Sequence, residues 1–311
     1  MTGFPFPVNP VLTGIVVAFQ NADLIADQVL PRLAPPLAAQ LFKYMTFDFA
    51  QAITVPDTKV GRKGEPGTVE FTGTEVPGAT FDYGLDDVIP IDDINNAPAG
   101  YDPKAFAAQN LMNLVLLDRE VRVAGKVFAA GTYPSGNKVT LSGSSQWSHV
   151  DSDPIGDIES AKDAMIAAPN IAVFGRAAWS KFARNPKIIA SLSTSGTDKG
   201  IANKRAVADL FELDEILVGA SWLNSAKPGQ APVRARVWGK HCALLRREKI
   251  ASSLGNVPTF GWTAQYGTRV SGDIPEPKVG LRGSVRVRSG ESVQEVISAP
   301  DLGYLFTNAV A

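Results

Sequence analysis

The chain has 311 residues, 45% hydrophobic and 20% charged, which is enough for a sizeable core divided over about two units. A formal net charge of −1 gives no global pull toward nucleic acid or anionic lipid, and the single cysteine, Cys242, excludes an internal disulfide and a cysteine-rich metal site and suits a reducing cytosol. No apolar run reaches the roughly 20 residues of a membrane helix, and Met1-Thr2-Gly3-Phe4-Pro5 lacks the basic start of a signal peptide.

Residues 1–46 read as an N-terminal arm. Within it, 11–27 holds a short helix with Leu12, Ile15, Val16 and Phe19 on one side, and Pro31, Pro35 and Pro36 stop anything longer. Residues 47–95 read as an extended hairpin. Phe47-Asp48-Phe49 and Ile53-Thr54-Val55 lead in, Thr68-Val69-Glu70-Phe71-Thr72 leads out, and Gly61-Arg62-Lys63-Gly64-Glu65-Pro66-Gly67 supplies the reversal. An arm with so little apolar content has no core of its own to bury it, which points to use against a neighbouring molecule. Its tip charges Arg62, Lys63 and Glu65 are the candidate contact residues.

Asp102-Pro103 is a helix start, an acid at the N-cap followed by proline at the first helical position. From there Phe106, Leu114, Leu117, Val121, Ala124 and Phe128 recur at spacings of three and four, predicting one core face over roughly seven turns. Asp118, Arg119, Arg122 and Lys126 fall on other faces by this reading, and Gly131 and Pro134 end the helix. Residues 154–250 alternate helices (154–168, 176–185, 204–213) with buried strands (171–175, 215–219, 243–245), a compact α+β unit. A Ser/Thr/Gly-rich loop at 191–200 and a hairpin-like loop at 224–232 interrupt it. Residues 260–307 are strand-rich, with Val285-Arg286-Val287-Arg288 alternating.

Chemistry-bearing clusters are few. His149 with Asp151 and Asp153 has the residue types of a metal site, but acids before a helix start ordinarily solvate a loop, with Asp153 as the cap. His241 and Cys242 are adjacent in an extended segment and so point to opposite faces, a poor nucleophile–base pair. Asp86, Asp87, Asp92 and Asp93 could serve acid–base work or a hard cation; flanking an extended segment with Pro90 inside, they read as a salt-bridging surface. Arg246-Arg247 and Arg282, Arg286 and Arg288 could meet phosphate or a partner's acids. No phosphate loop, dinucleotide fingerprint or nucleophile elbow is present. No catalytic residue, cofactor or metal is expected.

Several stretches resemble one family. They are Leu24-Ile25-Ala26-Asp27-Gln28-Val29-Leu30-Pro31-Arg32, Phe42-Lys43-Tyr44, Val60-Gly61-Arg62-Lys63-Gly64-Glu65-Pro66 and Asp82-Tyr83-Gly84-Leu85-Asp86-Asp87. Asn113-Leu114-Val115-Leu116-Leu117-Asp118-Arg119-Glu120, Pro169-Asn170-Ile171-Ala172-Val173-Phe174-Gly175 and Val237-Trp238-Gly239-Lys240 complete the set. In this order of parts the chain resembles the major capsid proteins of tailed bacteriophages, the Hong Kong 97-type fold. The resemblance implies an α+β fold with an N-arm at 1–46, an E-loop at 47–95, a spine helix within the first part of a P-domain at 96–153, an A-domain at 154–250 and returning P-domain strands at 251–311. It implies a structural protein that self-assembles through pentamers and hexamers into an icosahedral shell around double-stranded DNA, without sequence-specific binding. The implied partners are a portal protein, a decoration or cement protein and, because the stretch before the hairpin has no room for a fused scaffold, a separate scaffolding protein. No membrane is involved; the product is a virion capsid assembled in the host cytoplasm. Lys59 and Lys63 are available for intersubunit crosslinking, but no acceptor is identifiable and no crosslink is expected. The alternatives are an encapsulin-type compartment, which shares the fold, and an acid–base enzyme using Asp86/Asp87 or His149.

Overall fold

The computed structural model describes residues 6–47, 54–69, 73–193, 200–227, 229–248 and 259–311. In chain order the first part holds α1 (Pro10–Ala18), α2 (Ala26–Val29), β1 (Leu41–Phe47), β2 (Gly73–Ala79), β3 (Phe81–Pro90), α3 (Ile91–Asn95), α4 (Pro103–Val127) and β4 (Lys138–Thr140). Then come α5 (Pro154–Ala164), β5 (Ile171–Gly175), α6 (Arg176–Phe182), α7 (Pro186–Leu192), α8 (Lys204–Leu210), β6 (Glu215–Gly219), β7 (Trp222–Asn224), β8 (Arg234–Arg236) and β9 (Cys242–Leu245). The chain closes with β10 (Gly261–Glu276), β11 (Ser284–Ile297) and β12 (Gly303–Thr307).

Two sheets organise the molecule. β10, β11 and β3 form an antiparallel sheet, with a register shift between Tyr266 and Val270 where Gly267 takes φ 62°. β4, β12, β9, β5 and β6 form a mixed five-stranded sheet. β5 and β6 run as continuous apolar strands because both faces of this sheet are covered. On one face Trp147, Ile158, Trp179, Phe182, Ile188, Val207 and Phe211 pack against Phe174, Val218 and Leu244. On the other, Val123, Ala124 and Val127 of α4 join Val29, Leu30 and Trp238 over Val173, Leu217 and Leu245. The sheet of the 154–250 unit is thus completed from outside it, by β4 before and β12 after.

α4 begins as its sequence dictates, with Asp102 accepting the Lys104 amide at 2.9 Å and Pro103 at the first position. Its buried face is not the predicted one, of which Ala124 alone is fully in the core. Phe106, Leu114 and Val121 are exposed (53%, 51% and 40%), and Leu117 and Phe128 are only half-buried. The residues in the core are Ala108, Leu111, Met112, Val115, Leu116, Val123 and Val127, packed with Leu12 and Val16 of α1, Ile89, Val287 and the second face of the large sheet. Arg119 and Glu120 lie on this buried face as well. The helix carries two apolar stripes of the same three-and-four spacing, rotated against each other. Each residue advances 100°, so both stripes satisfy the same pattern and only the packing partner selects between them.

The N-terminal segment is shorter in helix than expected, since α1 ends at Ala18. The segment touches β10 on both sides of its helices, through the bridge Val8–Gly272 before α1 and the bridges Arg32–Thr263 and Leu37–Tyr266 after α2.

Candidate intersubunit surface

The excursion after the N-terminal segment has a built base and a bare end. β1 and β2 pair antiparallel from Leu41–Ala79 to Phe47–Gly73. Phe42 and Tyr44 each lie 5.9 Å from the Trp262 ring, the second edge-on, which ties the base to β10. Gly78 makes this possible, because a Cβ there would sit 2.6 Å from the Phe42 ring. The Ala79 amide donates to Gln294 Oε1 at 2.9 Å, and Lys43 pairs with Glu75 at 2.9 Å.

Beyond the base, residues 54–69 form no strand and are exposed throughout. Expected strand residues Asp48, Phe49, Ile53, Glu70, Phe71 and Thr72 lie outside the described residues. The tip reverses at Arg62-Lys63, closed by the Gly64 amide donating to Gly61 O at 2.9 Å. Arg62, Lys63 and Glu65 have no ion-pair partner among the described residues. Val55, Val60 and Val69 are exposed beside them, at 88%, 45% and 54%. A second uncovered apolar surface is the outer stripe of α4, where Tyr101 and Phe106 lie 5.7 Å apart.

The candidate chemistry clusters resolve into structure. The Asp86 carboxylate takes Arg288 through two bonds of 2.7 Å and Arg286 at 3.2 Å, as the pairing of Arg288 opposite Asp86 in β11–β3 allows. Those bonds, Arg288 first, hold Asp86 below the usual carboxylate range. Arg282 meets Asp92 at 2.9 Å. His149 Nδ1 accepts the Asp151 amide at 3.2 Å. Asp153 occupies the N-cap of α5 but makes no side-chain cap; its carboxylate lies 3.5 Å from Lys187 Nζ, which corrects the expected capping role. Cys242 is in the core on one face of the large sheet, and burial pushes its thiol well up. His241 turns to the other side, 5.3 Å from Phe128, and accepts the Asn308 amide at 3.1 Å.

The sequence reading missed a charged clasp beneath the N-terminal segment. Arg119 reaches Asp27, Leu30 O at 3.3 Å and Thr263 Oγ1 at 2.9 Å. Arg32 bridges Asp27 and Glu291 at 2.7 and 2.9 Å, Arg269 meets Glu291 at 3.3 Å, and Arg122 meets Glu295 at 3.0 Å. Next to it the Glu120 carboxylate accepts Ile25 N at 3.0 Å, Ala26 N at 2.8 Å, Trp238 Nε1 at 2.5 Å and Ser221 Oγ at 3.4 Å. Burial pushes Glu120 up although these donors favour its charge. Arg119 and Glu120 line a cavity of about 720 Å³ with Val17, Asn21, Arg32 and Arg269. With both oxygens engaged, three donors on Oε1 and the Ala26 amide on Oε2, this carboxylate joins the N-terminal segment to α4 and Trp238. A usable signal was present: 112, 116, 119 and 123 keep the three-and-four spacing straight through Arg119.

The fold has close counterparts. A phage-related protein from Bordetella bronchiseptica RB50 superposes with a TM-score of 0.73 over 97% of each chain at 24% identity, a likeness of fold. A family model described as phage major capsid protein E matches residues 131–220, from the turn after α4 through β6. The major capsid protein of Burkholderia phage BcepMu is 25% identical over 96% of each chain. That of Pseudomonas phage JBD67 is 47% identical over the full 311 residues and all of its own length. Identity at that level across arm, long helix and both sheets leaves one family: the chain belongs to the phage major capsid proteins, structural proteins of the phage shell.

Proposed function

We propose that this capsid protein closes its shell through the exposed arm, acting as an E-loop laid on a neighbouring subunit. The observation that carries it is the pairing of an anchored base with an end whose valines are exposed and whose charges have no ion-pair partner among the described residues. Arms that reach across neighbours provide contact area without a large flat apolar patch on the free subunit. In this reading residues 1–46 are the N-arm, 47–95 the E-loop, 96–153 and 251–311 the P-domain with α4 as spine helix, and 154–250 the A-domain. Subunits assemble as pentamers and hexamers in the host cytoplasm with a separate scaffolding protein, a portal protein and a decoration or cement protein. The finished virion shell encloses double-stranded DNA. The protein carries out no catalytic step.

Two variants test the arm. Deleting residues 57–67 leaves a folded subunit that gives no closed particles by electron microscopy. Arg62→Glu with Lys63→Glu lowers particle yield and makes it more salt-sensitive, since exposed pairs contribute only about 0–1 kcal/mol each and act by repetition. Normal particles from the deletion would remove the arm from assembly.

A further inference from the structure

The helices covering one face of the large sheet carry a charge asymmetry that the proposed arm contact does not involve. Among the described residues from Arg176 to Leu210 there are six cations, Arg176, Lys181, Arg184, Lys187, Lys204 and Arg205, and one acid, Asp209. The whole chain carries −1, so everything outside these residues sums to −6. All six cations are exposed. They face outward because Trp179, Phe182, Ile188, Val207 and Phe211 take the inner side of the same helices. The Ala202 amide donates to Ala183 O at 2.8 Å, which draws the start of α8, with Lys204 and Arg205, beside Arg184. Arg205 has Asp209 at 3.3 Å and Lys187 has Asp153 at 3.5 Å. Arg176, Lys181, Arg184 and Lys204 have no ion-pair partner among the described residues.

Clustered unpaired cations repel one another, and a polyanion relieves that repulsion. Ile201 is the one large apolar side chain exposed among the described residues of this stretch. A protein partner would need an apolar centre to dock on, whereas nucleic-acid interfaces are polar and positive. The apolar sides of these helices pack on the sheet, and exposed cations that meet phosphates position a duplex without reading its sequence. We propose that the outer face of α6–α8 is a sequence-independent contact surface for the phosphate backbone of double-stranded DNA, the side of the subunit turned to the shell interior. This rests on the reading that the shell encloses DNA. Each phosphate met by a cation releases condensed counterions, so contacts are weak at physiological salt and sum over many subunits without locking the DNA in place.

The test uses the full-length unassembled chain and two short fluorescein-labelled duplexes of unrelated sequence, followed by anisotropy across about 50–200 mM salt. Both duplexes bind alike. Lys181→Glu with Arg184→Glu and Lys204→Glu flattens the slope of log Kobs against log[salt] by about 2–3, at about 0.9 for each phosphate no longer neutralised. The milder Lys181→Gln, Arg184→Gln, Lys204→Gln set does the same, and near-UV circular dichroism confirms that both sets are folded. Lys278→Glu, on the β10–β11 turn, leaves the slope unchanged. An unchanged slope in the folded triple variants overturns the proposal, as does equal loss with Lys278→Glu. Binding of poly-glutamate in place of DNA also overturns it and assigns the face to an acidic protein. Failure of the wild-type chain to form particles when co-expressed with its scaffolding protein would refute the shell reading separately, because anisotropy does not require assembly.

Discussion

Met112 and Leu114 sit two residues apart on α4 and test which of its stripes is core. Met112 is fully buried against Leu12, Val16 and Val287, whereas Leu114 is 51% exposed. Met112→Ala removes three heavy atoms from a fully buried apolar site, for which about 2–5 kcal/mol is expected. Unfolding entropy scales with chain length, so for a chain of this size about 1 kcal/mol shifts the melting temperature by 1–2 °C. The expected loss is therefore about 3–8 °C. Leu114→Ala gives up only the half of the side chain already out of water, about 1 kcal/mol, and a melting change near 1–2 °C. The assay is thermal melting of the unassembled subunit, paired with particle yield by electron microscopy. Met112→Ala should melt early. Leu114→Ala should melt almost normally, and the accompanying particle yield reads whether that exposed stripe serves as a subunit contact. Equal destabilisation of the free subunit by both changes would refute the assigned face.

The clasp gives two further expectations. Burial alone would raise the Asp27 pKa, but the charges of Arg119 and Arg32 outweigh it and lower it from 3.8 to about 2. A carboxylate depressed in this way contributes stability above its unfolded pKa and loses it as pH falls through the folded one. Denaturation midpoints should therefore fall between pH 3.8 and about 2, and Asp27→Asn should flatten that limb while lowering the midpoint at neutral pH; an unaltered limb would count against the pairing. Glu120→Gln turns an amide donor toward a site built of donors, with an expected cost of about 1–3 kcal/mol in urea unfolding. A midpoint equal to wild type would mean that the four donors have other acceptors.

Much of the fold was determined locally. Asp102-Pro103 set the start of α4, and the apolar runs at Ile171–Gly175 and Glu215–Gly219 became strands with those bounds, because caps, proline and β-branched runs act within a few residues. The arm was recognisable from its turn and its lack of apolar content, and the shell family from stretches spread along the chain. Facing and partnership were settled only by tertiary packing. The two stripes of α4 share one periodicity, so the contact with α1, β3 and β11 decided which is buried. The pairing of Asp86 with Arg288 depends on register between strands some 200 positions apart, and β12 joining β9 and β4 closes the large sheet from the far end of the chain. Arg119 and Glu120 read locally as the polar side of a helix. They are buried because the N-terminal segment crosses above them and supplies Asp27 and the Ile25 and Ala26 amides. A charge can occupy a core only where the fold delivers its partners, and no pattern within one helix records those.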